Sequence, residues 1–472
     1  MQVSTVRFQK LNPEIRIDAE YYRAEILNRL NVLEQHKKES LDSLVDFVIG
    51  PFGSTVTVDK YVDESKYRYI RNKDINNFLI KNDEPALIPK AVYDSLPQFH
   101  IKENDLLITV VGTLGKVAIA RHGDAQSIFS CKSTLLRATK INPYYLLTYL
   151  NSKTGQLFAL RGKRGAIQEG LNLSDLKEIE VLIASDTFQQ DIEQIVNHSF
   201  SLIDESRRYY QAAQNLLLSE LGLSNWQPKH CLTFVKNYSE ADKAERIDAE
   251  YFQPKYDEIV KAIKDYAGGW DTLGNLVSMK KCVEVGSEAY IDEGDVPFIR
   301  VSNLSPFELT EEKYISSELY AELSQHQPQK GEILLSKDAT PGIACHLKET
   351  PKKMIPSGGI LRLEVKNKQI NEDYLTLVLN SLIVKEQINR DVGGSVILHW
   401  RPEQVMETLI PILPEDKQSQ IQQKITESFG LRKQSKHLLE CAKRAVEIAI
   451  EENEEIAIKW LQEQTKIVEK AD

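Results

Sequence analysis

The stretch RGKRGAIQEG (161–170) gathers Arg161, Lys163, Arg164 and Gln168 on one glycine-hinged loop. Guanidinium forks and ammonium groups on such a loop suit phosphate oxygens and the O6/N7 edge of guanine, and a glutamine amide can pair bidentately with adenine. A second stretch, RDVGGSVILHWRP (390–402), supplies Arg390, His399 and Arg401 in a similar setting. Arg71 and Lys73 follow one short strand-like run, and Arg300 and Asn303 follow another. Lys116, Arg121, Lys280, Lys281 and Lys337 add positive charge in the same two halves. Taken singly, each is as consistent with a solvated surface loop as with a nucleic-acid contact. The pattern is raised above that only because it occurs twice.

Groups able to make or break bonds are harder to find. Asn142-Pro143-Tyr144-Tyr145 is one letter from the Asn-Pro-Pro-Tyr/Phe element with which amino-methyltransferases grip a target base, but the second proline is absent and the other half reads NEDY at 371–374. A helix capped by Asn142 with Pro143 in its first position is the better reading, because proline costs nothing there. GTLGK (112–116) ends like a phosphate loop without the spacing or the Ser/Thr of GxxxxGK[ST], so a tight turn after a strand is expected. GPFGS (50–54) reads as a backbone turn. The nine histidines form no HExxH or HxH set, and His230-Cys231 and Cys345-His346 lack further ligands nearby. Neither a catalytic group nor a metal site is expected.

Five scattered cysteines without a CxxC point to a reducing cytoplasm. No apolar run reaches the ~18–20 residues of a membrane helix, and the N-terminal residues lack a signal-peptide core. The net charge of −10 argues weakly against nucleic acid. That charge is uneven, however: acids exceed bases by four in 186–222 and by two in 415–472, leaving −4 for everything else. Basic clusters therefore fit inside the remainder.

The elements that must position these residues come in duplicate. RIDAEY occurs at 16–21 and again at 246–251. DLLITVVGTLG (105–115) answers EILLSKDATPG (332–342), and INPYYLLTYLNS (141–152) answers INEDYLTLVLNS (370–381). The chain is thus two diverged copies of a unit of about 230 residues, a duplicated domain rather than a solenoid. Each copy opens with short strand-like runs broken by Gly and Pro (1–185 and 226–414) and closes with a long helix (186–225 and 415–472). RIDAEYYRAEILNRLNVLE reads as a helix near the start of the first copy. In the long helices Ile192, Val196, Ile203, Tyr210 and Leu217, and Ile421, Ile425, Leu439 and Val446, recur at alternating steps of four and three, the coiled-coil signature. Small residues between them would let two helices approach closely. A helix over 187–222 would be about 54 Å long at ~1.5 Å per residue. The expected fold class is α+β: two pseudo-repeated globular domains separated by two long antiparallel, coiled-coil-like helices.

At this level the chain resembles the DNA-specificity (S) subunits of type I restriction–modification systems. The resemblance rests on RIDAEYY and RIDAEYF, on GPFGS, and on the strand-turn elements DLLITVVGTLGKVAIA and GEILLSKDATPG. It also rests on the segments GAIQEGLNLSDLKEIEVLI and GGSVILHWRPEQVMETLIPILP with the QQDIEQIV and KQSQIQQKI helices after them. It implies two target-recognition domains, each reading half of a split double-stranded DNA sequence, with the helices as a ruler. Two methyltransferase (M) subunits would dock on this chain and bring S-adenosylmethionine; a restriction (R) subunit using ATP and Mg would join them. Two departures stand out. His399-Trp400-Arg401-Pro402 replaces Gly-Leu-Asn-Leu (170–173), and the acidic EENEE (451–455) would repel phosphates. The rival readings are a recognition fragment of a fused methyltransferase or nuclease, and a coiled-coil scaffold that binds only proteins.

Overall fold

A computed structural model describes residues 18–165, 169–392 and 398–469, with side chains as far as 465. It divides into two units, the first formed by residues up to Ile203 together with those from Lys433 onward, the second by Asp204–Arg432.

In the first unit, Val45–Ile49, Ser133–Ala138, Leu106–Thr109, Val117–Ile119 and Phe78–Leu79 lie in that order in a five-stranded sheet. A second sheet orders Ala86–Ile88, Tyr67–Ile70 and Ser127–Phe129. The run Leu106–Thr109 is buried at all four positions because it is apolar on both faces. Leu106 and Ile108 join a core with Tyr145, Tyr149, Ile192 and Val446, while Leu107 turns the other way toward Ile70, Ala118 and Phe129. Side chains alternate across a strand, so one strand fills two cores.

The second unit repeats the plan. Val277–Lys281, Ile360–Val365, Ile333–Ser336 and Ala344–His346 form one sheet, and Tyr314–Ile315, Val296–Ile299 and Ile355–Pro356 the other. Ile333 and Leu335 face one core and Leu334 another.

The repetition reaches single hydrogen bonds. Asn142 Oδ1 accepts from the backbone N–H of Tyr144 (2.9 Å) and Tyr145 (3.1 Å), capping the helix Pro143–Asn151 as its sequence suggested. Asn371 Oδ1 does the same for Asp373 (2.9 Å) and Tyr374 (3.1 Å). The Tyr145 hydroxyl donates to Leu182 O (2.9 Å) and that of Tyr374 to Pro411 O (2.7 Å). Such bonds meet the demand of buried hydroxyls for a partner.

The twice-written hexapeptide has a local explanation. Asp18 Oδ1 accepts from Tyr21 N (3.0 Å) and Asp248 Oδ1 from Tyr251 N (3.1 Å), closing the same turn twice. That turn presents Tyr21 to the Arg161 guanidinium, 3.7 Å from the ring centroid, and Arg161 Nε donates to Tyr21 O (3.0 Å). In the second copy Arg246 stacks on Tyr251 (4.4 Å) and donates to the carbonyls of Arg390 and Asp391. The motif therefore anchors the start of each repeat to the end of the helices Lys153–Arg161 and Leu382–Asp391. The turn also shortens the expected first helix to Ala24–Leu33. Arg16 and Ile17 lie outside the described residues.

The long helices are Asp186–Glu220 and Glu415–Glu451. Within the first unit Ile192, Val196 and Val446 are fully buried, and the Ser199 and Ser435 hydroxyls meet at 2.7 Å. Within the second, Leu217 and Ile421 are fully buried and Ile425 nearly so, while Ser206 meets Ser428 at 2.9 Å and Lys417 pairs with Glu220 at 2.8 Å. As one number rises the other falls, so the helices run antiparallel. Ile203 and Tyr210 are half-buried, and Leu438 takes the buried position expected for Leu439, which is half-exposed. The last helix differs from the single element expected over 415–472. It stops at Glu451, and Asn453 Oδ1 accepts from Ile456 N (3.0 Å) to start a separate helix, Glu454–Glu469.

Candidate nucleic-acid interface

Five loops meet at one end of the first unit. The strands Val45–Ile49, Tyr67–Ile70 and Leu106–Thr109 finish there and Ser133–Ala138 begins. Ser130 N donates to Ile70 O (3.0 Å), Val110 N to Lys132 O (2.9 Å) and Leu171 N to Val110 O (2.9 Å). A bridge from Val111 to Gly170 attaches the hairpin Lys163–Arg164/Gly170–Leu171. A Cβ on Gly50 would lie 2.4 Å from Ser130 O, so the GPFGS turn can seat there only as glycine. GTLGK is the tight turn expected, with Gly112 and Gly115 at φ 83° and 76° and Gly115 N bonded to Thr109 O (3.0 Å).

The second unit builds the same end with equivalent bonds. Ser357 N donates to Ile299 O (2.8 Å), Lys337 N to Gly359 O (2.9 Å) and Trp400 N to Lys337 O (2.8 Å), and Asp338 bridges to His399. These bonds fix which residues correspond. Asn72 and Lys73 stand where Val301 and Ser302 stand; Val110 and Val111 match Lys337 and Asp338; Lys132 matches Gly359. Counting from the equivalent strands Val45–Ile49 and Val277–Lys281, Phe52 matches Glu284. The backbone is shared and the exposed chemistry is not. The correspondence also resolves the sequence departure after the hinge loop: Trp400 takes the place of Leu171 and is 1% exposed, so it is core, while His399 points outward.

The basic residues picked from sequence divide by location. At the loop end of the first unit, Lys73 and Lys163 are exposed and Lys116 is half-buried. Lys163 pairs with the equally exposed Glu169 (2.6 Å). Arg164 is held by Asp175 through two bonds of 3.0 and 2.9 Å. Arg71 grips Asp74 in the same bidentate way (3.0 and 2.9 Å), and that hydrogen bond raises its pKa. Arg161 is stacked on Tyr21 as described. Arg121 lies at the opposite end of the sheet, beyond Val117–Ile119, with its guanidinium 5.3 Å from the Phe200 ring. Gln168 lies outside the described residues.

In the second unit Arg300 pairs with Glu312 (2.6 Å), and the buried Asn303 accepts from Arg300 N (3.1 Å), closing a turn. Lys337 pairs with Asp338, which also accepts from His399 (2.8 Å). Burial alone would raise the Asp338 carboxyl, but the bonds from Lys337 and His399 outweigh it and hold the carboxyl below its usual range. Lys280 reaches Glu332 (3.5 Å) and Glu364 (3.3 Å). Lys281 is exposed at the strand end next to the loop. Arg390 pairs with Asp391 (3.0 Å) and Arg401 caps the helix Pro402–Glu407 with its side chain exposed. The thiol at this end, Cys282, is pushed up by burial to about 12, which withholds the thiolate that a nucleophile needs.

Sequence reasoning passed over Phe52, Lys132, Glu284 and Asp338, all at the loop ends. Their signal was available only as a mismatch between aligned copies, and the loops differ too much in length to be aligned without the strands.

Residues 268–440 match the family model described as the type I restriction modification DNA specificity domain. The specificity subunit of the type I restriction enzyme EcoBI from Escherichia coli is 27% identical over 136 residues, which is 29% of this chain and 29% of that protein. Among solved structures, the type I restriction–modification S subunit from M. genitalium is similar at 16% identity and a TM-score of 0.37, covering 88% of this chain and 95% of that one. The HsdS subunit from Thermoanaerobacter tengcongensis covers 88% and 97%, at a TM-score of 0.28 and 13% identity. The second copy is thus similar to the type I restriction modification DNA specificity domain over residues 268–440. The resemblance to specificity subunits read from the motifs stands.

Proposed function

We propose that this chain is the sequence-reading, non-catalytic subunit of a cytoplasmic type I restriction–modification assembly. Each unit reads one half of an asymmetric, bipartite DNA target with its loop end, and the long helices set the gap between the halves. Two methyltransferase subunits dock on the chain and supply S-adenosylmethionine and the transfer site, and a restriction subunit brings ATP and Mg. The observation that carries this reading is the pair of loop ends, identical in backbone bonding and different in side chains at every outward position compared above. A structural duplication would have no need to vary the outward side chains while keeping the backbone bonds beneath them. In the first unit those ends gather Lys73, Lys116, Lys132 and Lys163 despite the chain's net charge of −10, as phosphate contacts require.

The test is to purify the full chain with the subunits it carries and select duplexes from a random pool at low salt. A split motif with two unlike blocks, together with a co-purifying methyltransferase, is expected. A single block, or protein partners with no enriched DNA, overturns the reading and favours a protein scaffold.

A further inference from the structure

Phe52 is 87% exposed, yet the turn that carries it is fixed. Gly50 abuts Ser130, Pro51 is buried, Thr55 N donates to Phe52 O (2.8 Å) and Lys60 Nζ to Thr55 O (2.7 Å). Ile49 and Val58 beside it are 56% and 77% exposed. Single exposed apolar residues are ordinary, but here one sits on a braced turn with exposed Ile49 at the strand end before it and exposed Val58 just after it. A Phe side chain left in water forgoes the stabilisation that its burial would contribute, so the tip is shaped for something that covers it.

The surroundings favour a duplex over a protein. Lys132 follows directly on the Ser130-Cys131 segment against which the turn sits, and Lys60 and Lys73 are exposed nearby in sequence or at the same end. An apolar wedge between cations matches a base step flanked by phosphates. In the second unit the equivalent position is Glu284, whose carboxylate accepts from Gly358 N (3.0 Å) and would be repelled by DNA. We infer that Phe52 inserts against a base step of the half-site read by the first unit, so that this half is read partly through deformability and the other is not.

This inference rests on the DNA reading above, and its test separates the two. The full chain with its co-purified subunits is titrated with the selected duplex, 2-aminopurine being placed at successive steps of each half-site. One step is expected to brighten on binding, in one half only. Phe52→Ala should abolish the brightening and weaken binding about 5- to 150-fold, the range for a lost base–aromatic stack, with an unchanged salt slope. Lys132→Ala should keep the brightening and lower the slope by about one. An unchanged affinity and signal in Phe52→Ala overturns the insertion while leaving the DNA reading intact. Loss of a protein subunit with DNA binding kept also overturns it, by making the tip a protein contact. Failure of the unmutated assembly to enrich any duplex sinks the DNA reading and the insertion with it. Because Phe52 is exposed, the variant's thermal unfolding should match that of the parent.

Discussion

The two units differ in where they place their strongest ion pairs and in what they display at their loop ends. In the second, Arg362 and Glu332 face each other at 2.8 Å with both side chains only 4% exposed. In the first, Asp105 holds the place of Glu332 but pairs at 2.7 Å with Arg137, which stands where the second unit has Glu364; Arg137 is 30% exposed and Asp105 2%. At the loop ends the first unit shows Lys73, Lys132 and the aromatic Phe52 where the second has Ser302, Gly359 and Glu284. One scaffold therefore tolerates large changes in exposed chemistry as long as its backbone bonds and buried partners persist.

The largest expected effect comes from removing one side of the buried pair. Arg362→Met should cost about 3–5 kcal/mol, since it strands a buried carboxylate, and Arg137→Met less, because loss of a guanidinium that is itself 30% exposed opens the buried Asp105 to water. Urea unfolding followed by hydrogen exchange in each unit would read both; equal losses would erase the contrast. Burial alone would raise the Glu332 carboxyl, and the bond from Arg362 holds it below the usual range.

The next effect is on specificity. Exchanging Asn72-Lys73 for Val-Ser, the residues at the equivalent place in the second unit, should alter the preferred bases of one half-site by about 1–3 kcal/mol per position and leave the other unchanged. Repeating the duplex selection with the variant would show it. A motif unaltered in both halves would remove this loop from recognition.

Asn142→Ala and Asn371→Ala should each lose about 1 kcal/mol. The cap bonds match, but Asn142 Nδ2 also donates to Glu193 (2.5 Å), so Asn142→Ala should lose somewhat more in thermal unfolding.

The basic loop can be dissected by salt. Lys73→Ala with Lys132→Ala should flatten the slope of log affinity against log salt by about two units. Arg161→Ala should leave the slope unaltered and cost about 0.5–2 kcal/mol of stability, because its guanidinium lies on Tyr21. A slope change from Arg161→Ala alone would return that residue to the interface.

The smallest effect concerns pH. The folded Asp338 carboxyl is held below its unfolded value of about 3.9, so its stabilisation is fully present above that value and lost as pH falls through the folded one. Asp338→Asn should thus be less stable by up to about 1 kcal/mol at neutral pH, a gap that closes only in acid. A gap that closes already near pH 6 would contradict the assigned pair.

How much of this was legible beforehand depended on the kind of residue. The repeat, the caps at Asn142 and the antiparallel helix pair were readable because they rest on spacing and on local hydrogen bonds, which neighbours in sequence dictate. The loop residues were not. Arg71, Arg164 and Arg300 looked free as letters, yet each has an acid that folding brings within 3 Å. Asp74 is three residues from Arg71, but Asp175 is eleven from Arg164 and Glu312 twelve from Arg300. Phe52 looked like a turn residue, and only the burial of its neighbours makes its exposure informative.

The sequence by itself determined that two copies of one unit are present, which strands and helices build them, and that the helices pair; periodicity and capping are local properties. Only the tertiary structure decided which cations stay available, that Trp400 is core while His399 is surface, and that five loops distant in sequence form a single end. Those outcomes depend on which partner reaches a charge first, and that is set by long-range strand register rather than by any short stretch of chain.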